Sequence, residues 1–384
     1  MKKFDHSTGT FIGKSGVEIF FQVWNVPNPK GLLVIAHGLG EHSSRYDNLL
    51  NALDGKGISV YALDHRGFGR SGGKKGHVDS FMDYIYDLKI FVNMIKDRQP
   101  GKPLTLLGHS MGGVVACKYA LTHPADLEAL VLSGPAFMAS VKVPAWKNKL
   151  AGFLSSKIPS LSMSSGLDSN AISRDKDVVR AYDEDPLVHD KVTPRFFTEF
   201  MNTAEECLNR VSELKMPLLL FHGTEDQLAD FNSSKIAYER AQSKDKELYL
   251  FENLYHETMN EPEKDRKKVL DQVSKWIVKH ATGKKKGASK KAAGKKSTTK
   301  KATGKKTAKK TVKKTAKKTA KKTAKKTAKK TAPKSTKKAP AKKAAKKTAG
   351  KTAKKTTKKA PAKKATGKST KKSAKKTTKK TTKK

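Results

Sequence analysis

The chain has 384 residues and a formal net charge of +47, from 82 lysines and arginines against 35 acidic residues. Lysine supplies 46 of those positive charges within residues 281–384, which hold no arginine, aspartate or glutamate, so residues 1–280 stand at only +1. That front segment has the charge balance and the length of one large-cored globular domain; two cysteines exclude a disulfide framework, and no run of about eighteen apolar residues is present to span a membrane.

The first sixteen residues open on two lysines, Lys2 and Lys3, but hold no apolar core segment, which predicts no signal peptide and a cytoplasmic protein. Phe4 to Trp24 reads as an antiparallel pair joined by a GKSG turn. Gly13-Lys14-Ser15 looks like the end of a phosphate loop, but that motif needs glycine at position 8, where Thr8 stands, and it opens a helix rather than a strand. Residues 31–42 (GLLVIAHGLGEH) form a buried strand running into His37-Gly38-Leu39-Gly40. Residues 43–57 read as a helix capped by Ser43 or Ser44 and stopped by Gly55 and Gly57. A strand and a Gly-rich loop follow at 58–73, then a helix over 80–98 on the spacing of Phe81, Ile85, Leu88, Phe91, Val92 and Ile95.

Further strands are expected at 103–108 and 126–135. The rhythm then breaks between Ala136 and about Asn209, a Ser-rich, irregular and later helical stretch read as a cap insertion. Its apolar members (Phe137, Met138, Val141, Trp146, Leu150, Phe153, Leu154 and Ile158) are candidates both to pack the cap onto the core and to line an acyl channel. Strands at 216–223 and 246–252 and helices at 230–242 and 262–280 close the domain. The alternation predicts an α/β fold: a mostly parallel sheet, right-handed crossovers, helices on both faces.

The organising stretch is PLTLLGHSMGG, residues 103–113. A buried strand turns sharply into an apolar helix at Ser110, inside G-x-S-x-G, which is the pattern of a nucleophile elbow. The serine must adopt a strained turn with its hydroxyl projecting, and side chains at 108 and 112 would collide with the adjoining backbone. Cys117, on the following helix, reads as small core packing.

A serine hydroxyl is a poor nucleophile unless a base lies within reach and a carboxylate orients that base. Gly223-Thr224-Glu225-Asp226 follows one late strand and Asn253-Leu254-Tyr255-His256 follows the next. The order Ser110, Asp226, His256 is the chain order expected with this elbow, although Glu225 and Asp230 share the acidic loop and position alone does not separate the three. The expected oxyanion donors are the backbone N–H groups of Met111 and Leu39. No H-E-x-x-H or Cys/His cluster points to a metal, and no cofactor is expected.

Five stretches together carry a resemblance: HGLGEHSSRY (37–46), DHRGFGRSGG (64–73), GHSMGG (108–113), YDEDPLVHDKVTPR (182–195), and HGTEDQLAD (222–230) with YHET (255–258). Over roughly residues 10–280 the chain resembles the monoacylglycerol lipase/lysophospholipase family of α/β-hydrolases. The resemblance implies an α/β-hydrolase fold, the Ser110, Asp226 and His256 triad, the Leu39 and Met111 donors, and a cap admitting an acyl chain. It also implies that Glu41, Arg45 and Tyr182 hold the glycerol end of an acylglycerol or lysophospholipid substrate. Read from the residues alone, Glu41 and Arg45 are four apart and form a helix-start ion pair, and Tyr182 packs in the cap. The family's mammalian members carry a second histidine where this chain has Met259. Haloalkane dehalogenases and epoxide hydrolases would place aspartate at the elbow.

From Ala281 onward, Thr-Ala-Lys-Lys units recur at 307–310 and from 315 to 330, without an aromatic residue and with Val312 as the one large aliphatic. Such a segment cannot bury enough apolar surface to order itself and is expected to be disordered alone. Its lysines suit polyanions: nucleic acid without sequence readout, as in the linker-histone and bacterial histone-like tails it resembles, or an anionic membrane surface. A solubilising tail is the remaining reading.

Overall fold

The computed structural model describes residues 4–140 and 145–282, the side chains of 145–149 excepted. The expected lysine-rich tail, 281–384, lies outside the described residues beyond Thr282. In chain order the strands are β1 (Asp5–Ile12), β2 (Glu18–Asn25), β3 (Gly31–Ala36), β4 (Ile58–Leu63), β5 (Leu104–His109), β6 (Ala129–Ser133), β7 (Met163–Ser164), β8 (Lys191–Val192), β9 (Leu218–Gly223) and β10 (Lys246–Phe251). The α-helices are α1 (Asp47–Leu53), α2 (Met82–Arg98), α3 (Met111–Thr122), α4 (Ala145–Lys157), α5 (Lys176–Glu184), α6 (Pro194–Arg210), α7 (Phe231–Arg240) and α8 (Glu263–Ala281).

Eight strands form one sheet in the order β1-β2-β4-β3-β5-β6-β9-β10. β1 and β2 pair antiparallel, as do β2 and β4, and every later pair is parallel. The central strands are apolar on both faces because helices cover both faces. On one side Val34, Leu106, Leu130 and Leu220 pack with Phe91 of α2 and Val114 of α3; on the other Leu33, Ile35, Val60 and Leu107 pack with Leu53 of α1 and Val273, Trp276 and Ile277 of α8. Each such side chain, fully withdrawn from water, contributes about 1.5–3 kcal/mol before ordering costs. Cys117 and Cys207 are free and buried in this core.

Two local expectations are corrected. Residues 43–57 are not one serine-capped helix: Ser43–Arg45 is a 3-10 turn whose cap is the His42 ring, with Nδ1 accepting from the Ser44 N–H at 3.2 Å, and α1 starts only at Asp47. Ser43 is unavailable as a cap because its hydroxyl donates to the buried Asp64 at 2.5 Å and accepts from Gln22 Nε2 at 2.8 Å. The start of the insertion is also more regular than its Ser and Gly content suggests, since α4 forms there and packs along α6, with Arg195 donating to the Ser155 carbonyl at 3.2 Å.

The β6-to-β9 crossover carries α4, the β7/β8 ladder, α5 and α6. Its return segment is pinned to the core loops by His42 on Asp185 at 2.9 Å, His189 on the Gly67 carbonyl at 2.8 Å and His77 on the Thr193 hydroxyl at 2.9 Å. Phe137 is buried, whereas Met138, Leu150, Phe153 and Ile158 are exposed, joined by Leu161, Met163 and Leu167. Val141 and the Trp146 side chain lie outside the described residues. No helix among the described residues is long and apolar enough to cross a membrane.

Candidate active site

Ser110 stands between β5 and α3 as the residue preceding the helix, at φ 54° and ψ −119°. A non-glycine residue holds that conformation only when its surroundings dictate it. They do here: its N–H donates to the Ser133 carbonyl at 3.0 Å, and its own carbonyl accepts from Gly113 and Ala136 at 2.9 and 3.2 Å. The two motif glycines allow the close approach. A Cβ at Gly108 would lie 2.2 Å from the Gly112 carbonyl oxygen, and one at Gly112 would lie 2.1 Å from that of Ala36 and 2.4 Å from that of His37. Met111 is the first residue of α3, so its N–H belongs to the helix end that has no intrahelical acceptor and carries the positive end of the dipole.

The loop after β3 brings Leu39 to the same edge of the sheet. Its shape is fixed from below. His37 Nε2 accepts the His65 N–H at 2.8 Å, so its Nδ1 carries the proton and donates to the Gly38 carbonyl at 2.8 Å. Glu41 is buried, and its Oε1 accepts from the Gly38 N–H at 2.6 Å and the Tyr46 hydroxyl at 3.0 Å. Burial alone would push that carboxyl up, but Arg45, His109, His37 and the Gly38 N–H outweigh it and hold it at about 2.

Past β9, Asp226 is distinguished from its acidic neighbours by geometry. Its Oδ2 accepts from His256 Nδ1 at 2.6 Å and His222 Nε2 at 2.9 Å, and its Oδ1 from the N–H groups of Leu228 and Ala229 at 2.8 and 2.9 Å. Glu225 is exposed, and Asp230 caps α7 through the Asn232 N–H at 2.9 Å. Burial opposes ionisation of Asp226, but the His256 and His222 imidazoles overcome it and hold the group far below the carboxylate range. Because a carboxylate only accepts, His256 carries its proton on Nδ1 and turns Nε2 away from Asp226. The His256 ring lies 4.8 Å, centroid to centroid, from that of His109, the residue before Ser110. Burial tends to lower the His256 pKa, yet Asp226, Glu257 and Glu41 carry it above the ordinary imidazole value.

Glu41 and Arg45 are an ion pair at 3.1 Å, but Arg45 has a stronger partner in Glu257, which accepts both terminal nitrogens at 2.7 and 2.9 Å. The half-buried Tyr182 ring of α5 covers the guanidinium at 4.7 Å. Glu41, Tyr46, His109, Glu257, Met259 and Asn260 line a small cavity beside these groups. His222, Tyr46 and Glu257 were not readable as site residues. The signals were faint: His222 closes a buried strand four residues before Asp226, and Glu257 adjoins His256.

A strained serine at an elbow, with an Asp-oriented imidazole over the same sheet edge, defines a serine hydrolase of the α/β-hydrolase class. The chain matches the family model described as serine aminopeptidase, S33, over residues 27–263. It is 38% identical over 276 residues to a monoacylglycerol lipase of Mycolicibacterium smegmatis, covering 71% of this chain and 98% of that one. It is 32% identical over 269 residues to the monoglyceride lipase of Homo sapiens, covering 69% and 88%. Among solved structures, the monoacylglycerol lipase of Paleococcus ferrophilus superposes with a TM-score of 0.63 at 34% identity, over 68% of this chain and 99% of that one. The chain belongs to the monoacylglycerol lipase family of α/β-hydrolases and is a serine ester hydrolase.

Proposed function

We propose that this chain hydrolyses monoacylglycerols through an acyl-enzyme on Ser110, with His256 as base, Asp226 orienting it, and the Leu39 and Met111 N–H groups binding the oxyanion; lysophospholipids are the alternative substrate. The observation that carries this reading is the 2.6 Å bond from His256 Nδ1 to Asp226, which leaves Nε2 to serve a serine held in an elbow. His256 takes the Ser110 proton as Oγ attacks the ester carbonyl, and the imidazolium then protonates the departing glycerol oxygen as the ester C–O bond breaks. Water repeats the sequence on the acyl-enzyme and releases the fatty acid.

One feature favours a neutral glyceride over a phosphate-bearing head group. Around the proposed head-group residues Glu41, Arg45 and Tyr182, the carboxylates of Glu41 and Glu257 outnumber the one guanidinium, which disfavours a phosphate. The exposed apolar side chains of the cap suit a long acyl chain. A panel of monoacylglycerols, lysophospholipids and p-nitrophenyl acyl esters tests this. Burst kinetics are expected with the chromogenic esters, monoacylglycerol kcat/KM should exceed that of lysophosphatidic acid about tenfold or more, and Ser110→Ala should lower kcat by at least about 10³-fold. Undiminished turnover in that variant overturns the assignment; faster lysophospholipid cleavage selects the alternative.

For residues 281–384, in a cytoplasmic protein, the proposal is nucleic-acid binding blind to sequence. Its support is compositional: 46 lysines neutralise phosphates, and without arginine or aromatics neither guanidinium forks nor base stacking are available.

A further inference from the structure

We propose that Glu257 is a positioning residue: through Arg45 it locks the loop carrying Leu39 to the loop carrying His256, and its carboxylate adds to the negative field that favours the His256 imidazolium. This rests on the triad reading above.

The chain of contacts is continuous. Glu257 follows His256 directly, and its two oxygens take a forked pair of bonds from Arg45 at 2.7 and 2.9 Å. Arg45 Nη1 also reaches Glu41 Oε2 at 3.1 Å, and the other oxygen of Glu41 holds the Gly38 N–H at 2.6 Å, one residue before the proposed donor Leu39. Side-chain exposure along this path is only 5–11%, so little water screens it. Glu257 is itself tied down, its N–H donating to the Ile172 carbonyl at 2.7 Å and its Oε2 accepting from Asn260 at 2.9 Å. Arg45 therefore joins three segments far apart in sequence: the oxyanion loop, the base loop, and Tyr182 of the cap lying over its face. With three of its donor contacts spent on carboxylates, its first duty is to hold the site together.

The groups facing His256 are Asp226 and, through it, His222 from the β9 side; His109 from β5; Glu41 with Arg45 from the β3 loop; and Glu257 from its own loop. Of the charged ones, three are anions and one is a cation. Removing the Glu257 charge therefore makes the imidazolium harder to form.

The test is the pH dependence of kcat and kcat/KM for full-length wild type, Glu257→Gln and Glu257→Asp on a soluble ester. In Glu257→Gln, kcat should fall about 10- to 100-fold with KM within about twofold, because the misplaced donor matters most to the transition state. Its acid limb should move to lower pH by about half a unit or more. Glu257→Asp keeps the charge but shortens the fork, so kcat should fall while the limb stays within about 0.2 unit of wild type. A purely structural residue would lower activity at every pH and leave the limb in place. A limb that stays put in Glu257→Gln, or that moves in Glu257→Asp, overturns the proposal, and so does an unchanged kcat in Glu257→Asp. If Ser110→Ala retains turnover, the triad reading fails instead; if that variant is dead and the limb is unmoved, only the role of Glu257 fails.

Discussion

At the scale of single residues, the proposed chemistry turns on which nitrogen of His256 bears the proton. Asp226 fixes it by accepting the Nδ1–H at 2.6 Å while His222 and two backbone N–H groups saturate its other lone pairs. That crowding of donors, against the burial that opposes it, keeps the carboxylate ionised, and its charge, with those of Glu257 and Glu41, raises the His256 pKa. As the proposed base, His256 would have to be neutral to accept the serine proton, so kcat/KM should rise with pH along a limb shifted above the ordinary imidazole value. Asp226→Asn abolishes the anion and permits the wrong tautomer. Its kcat should fall by about 10³- to 10⁴-fold with little change in KM. The acid limb should move down in pH, because the charge that lifted the imidazole is gone. A pH–rate profile of the purified variant checks both, and a variant as active as wild type would exclude Asp226 as the orienting group.

At the scale of elements, the elbow is a packing problem solved by two glycines. Gly112→Ala would set a methyl 2.1 Å from the Ala36 carbonyl oxygen and 2.4 Å from that of His37, both backbone atoms that cannot swing aside. It should destabilise the fold by about 2–3 kcal/mol and displace the β3 loop with it. Gly152→Ala, at an exposed position of α4 with nothing within 4 Å of the added Cβ, should instead be neutral or stabilising by up to about 1 kcal/mol. Urea unfolding of the two variants measures the contrast, and equal midpoints would refute the steric account. The same element explains what could be read from the sequence. Strand–Gly–His–Ser–Met–Gly–helix announces itself because local sterics dictate the residues, and runs such as Leu32–Ala36 and Leu218–Phe221 are apolar on both faces because helices cover both. Less legible were α4 and the 43–45 turn. The helix draws support from its packing along α6, and the turn from Asp64 across the fold, and neither partner is near in sequence. Glu257 and His222 were hidden likewise, since a carboxylate or imidazole acquires its meaning only from what the fold sets against it.

At the scale of the whole molecule, a near-neutral hydrolase segment and a lysine-rich segment share one chain. The hydrolase sheet is closed by β10 and α8 before the lysine run begins, and the Mycolicibacterium smegmatis relative matches along 98% of its length while covering only 71% of this chain. A protein ending at residue 282 should therefore fold alone and keep kcat/KM on a short soluble ester within about twofold of the full chain. The charge tells the opposite story for polyanions. Residues 1–280 hold a net charge of only +1, so truncation removes nearly all of the +47. Full-length protein should bind a random-sequence DNA duplex with an affinity that falls steeply with salt, log K dropping by about 0.9 per unit of log salt for each phosphate neutralised, whereas the truncated form should show no such dependence. Two duplexes of different sequence should give the same affinity, because lysine without arginine or aromatic partners reads charge density and not base edges. Vesicles of anionic lipid belong in the same titration: binding to them in preference to DNA at equal salt would redirect the tail to a membrane surface. Truncated protein that bound DNA as tightly as the full chain would strip the tail of its proposed role while leaving the hydrolase reading untouched, since the triad and the tail have no residue in common.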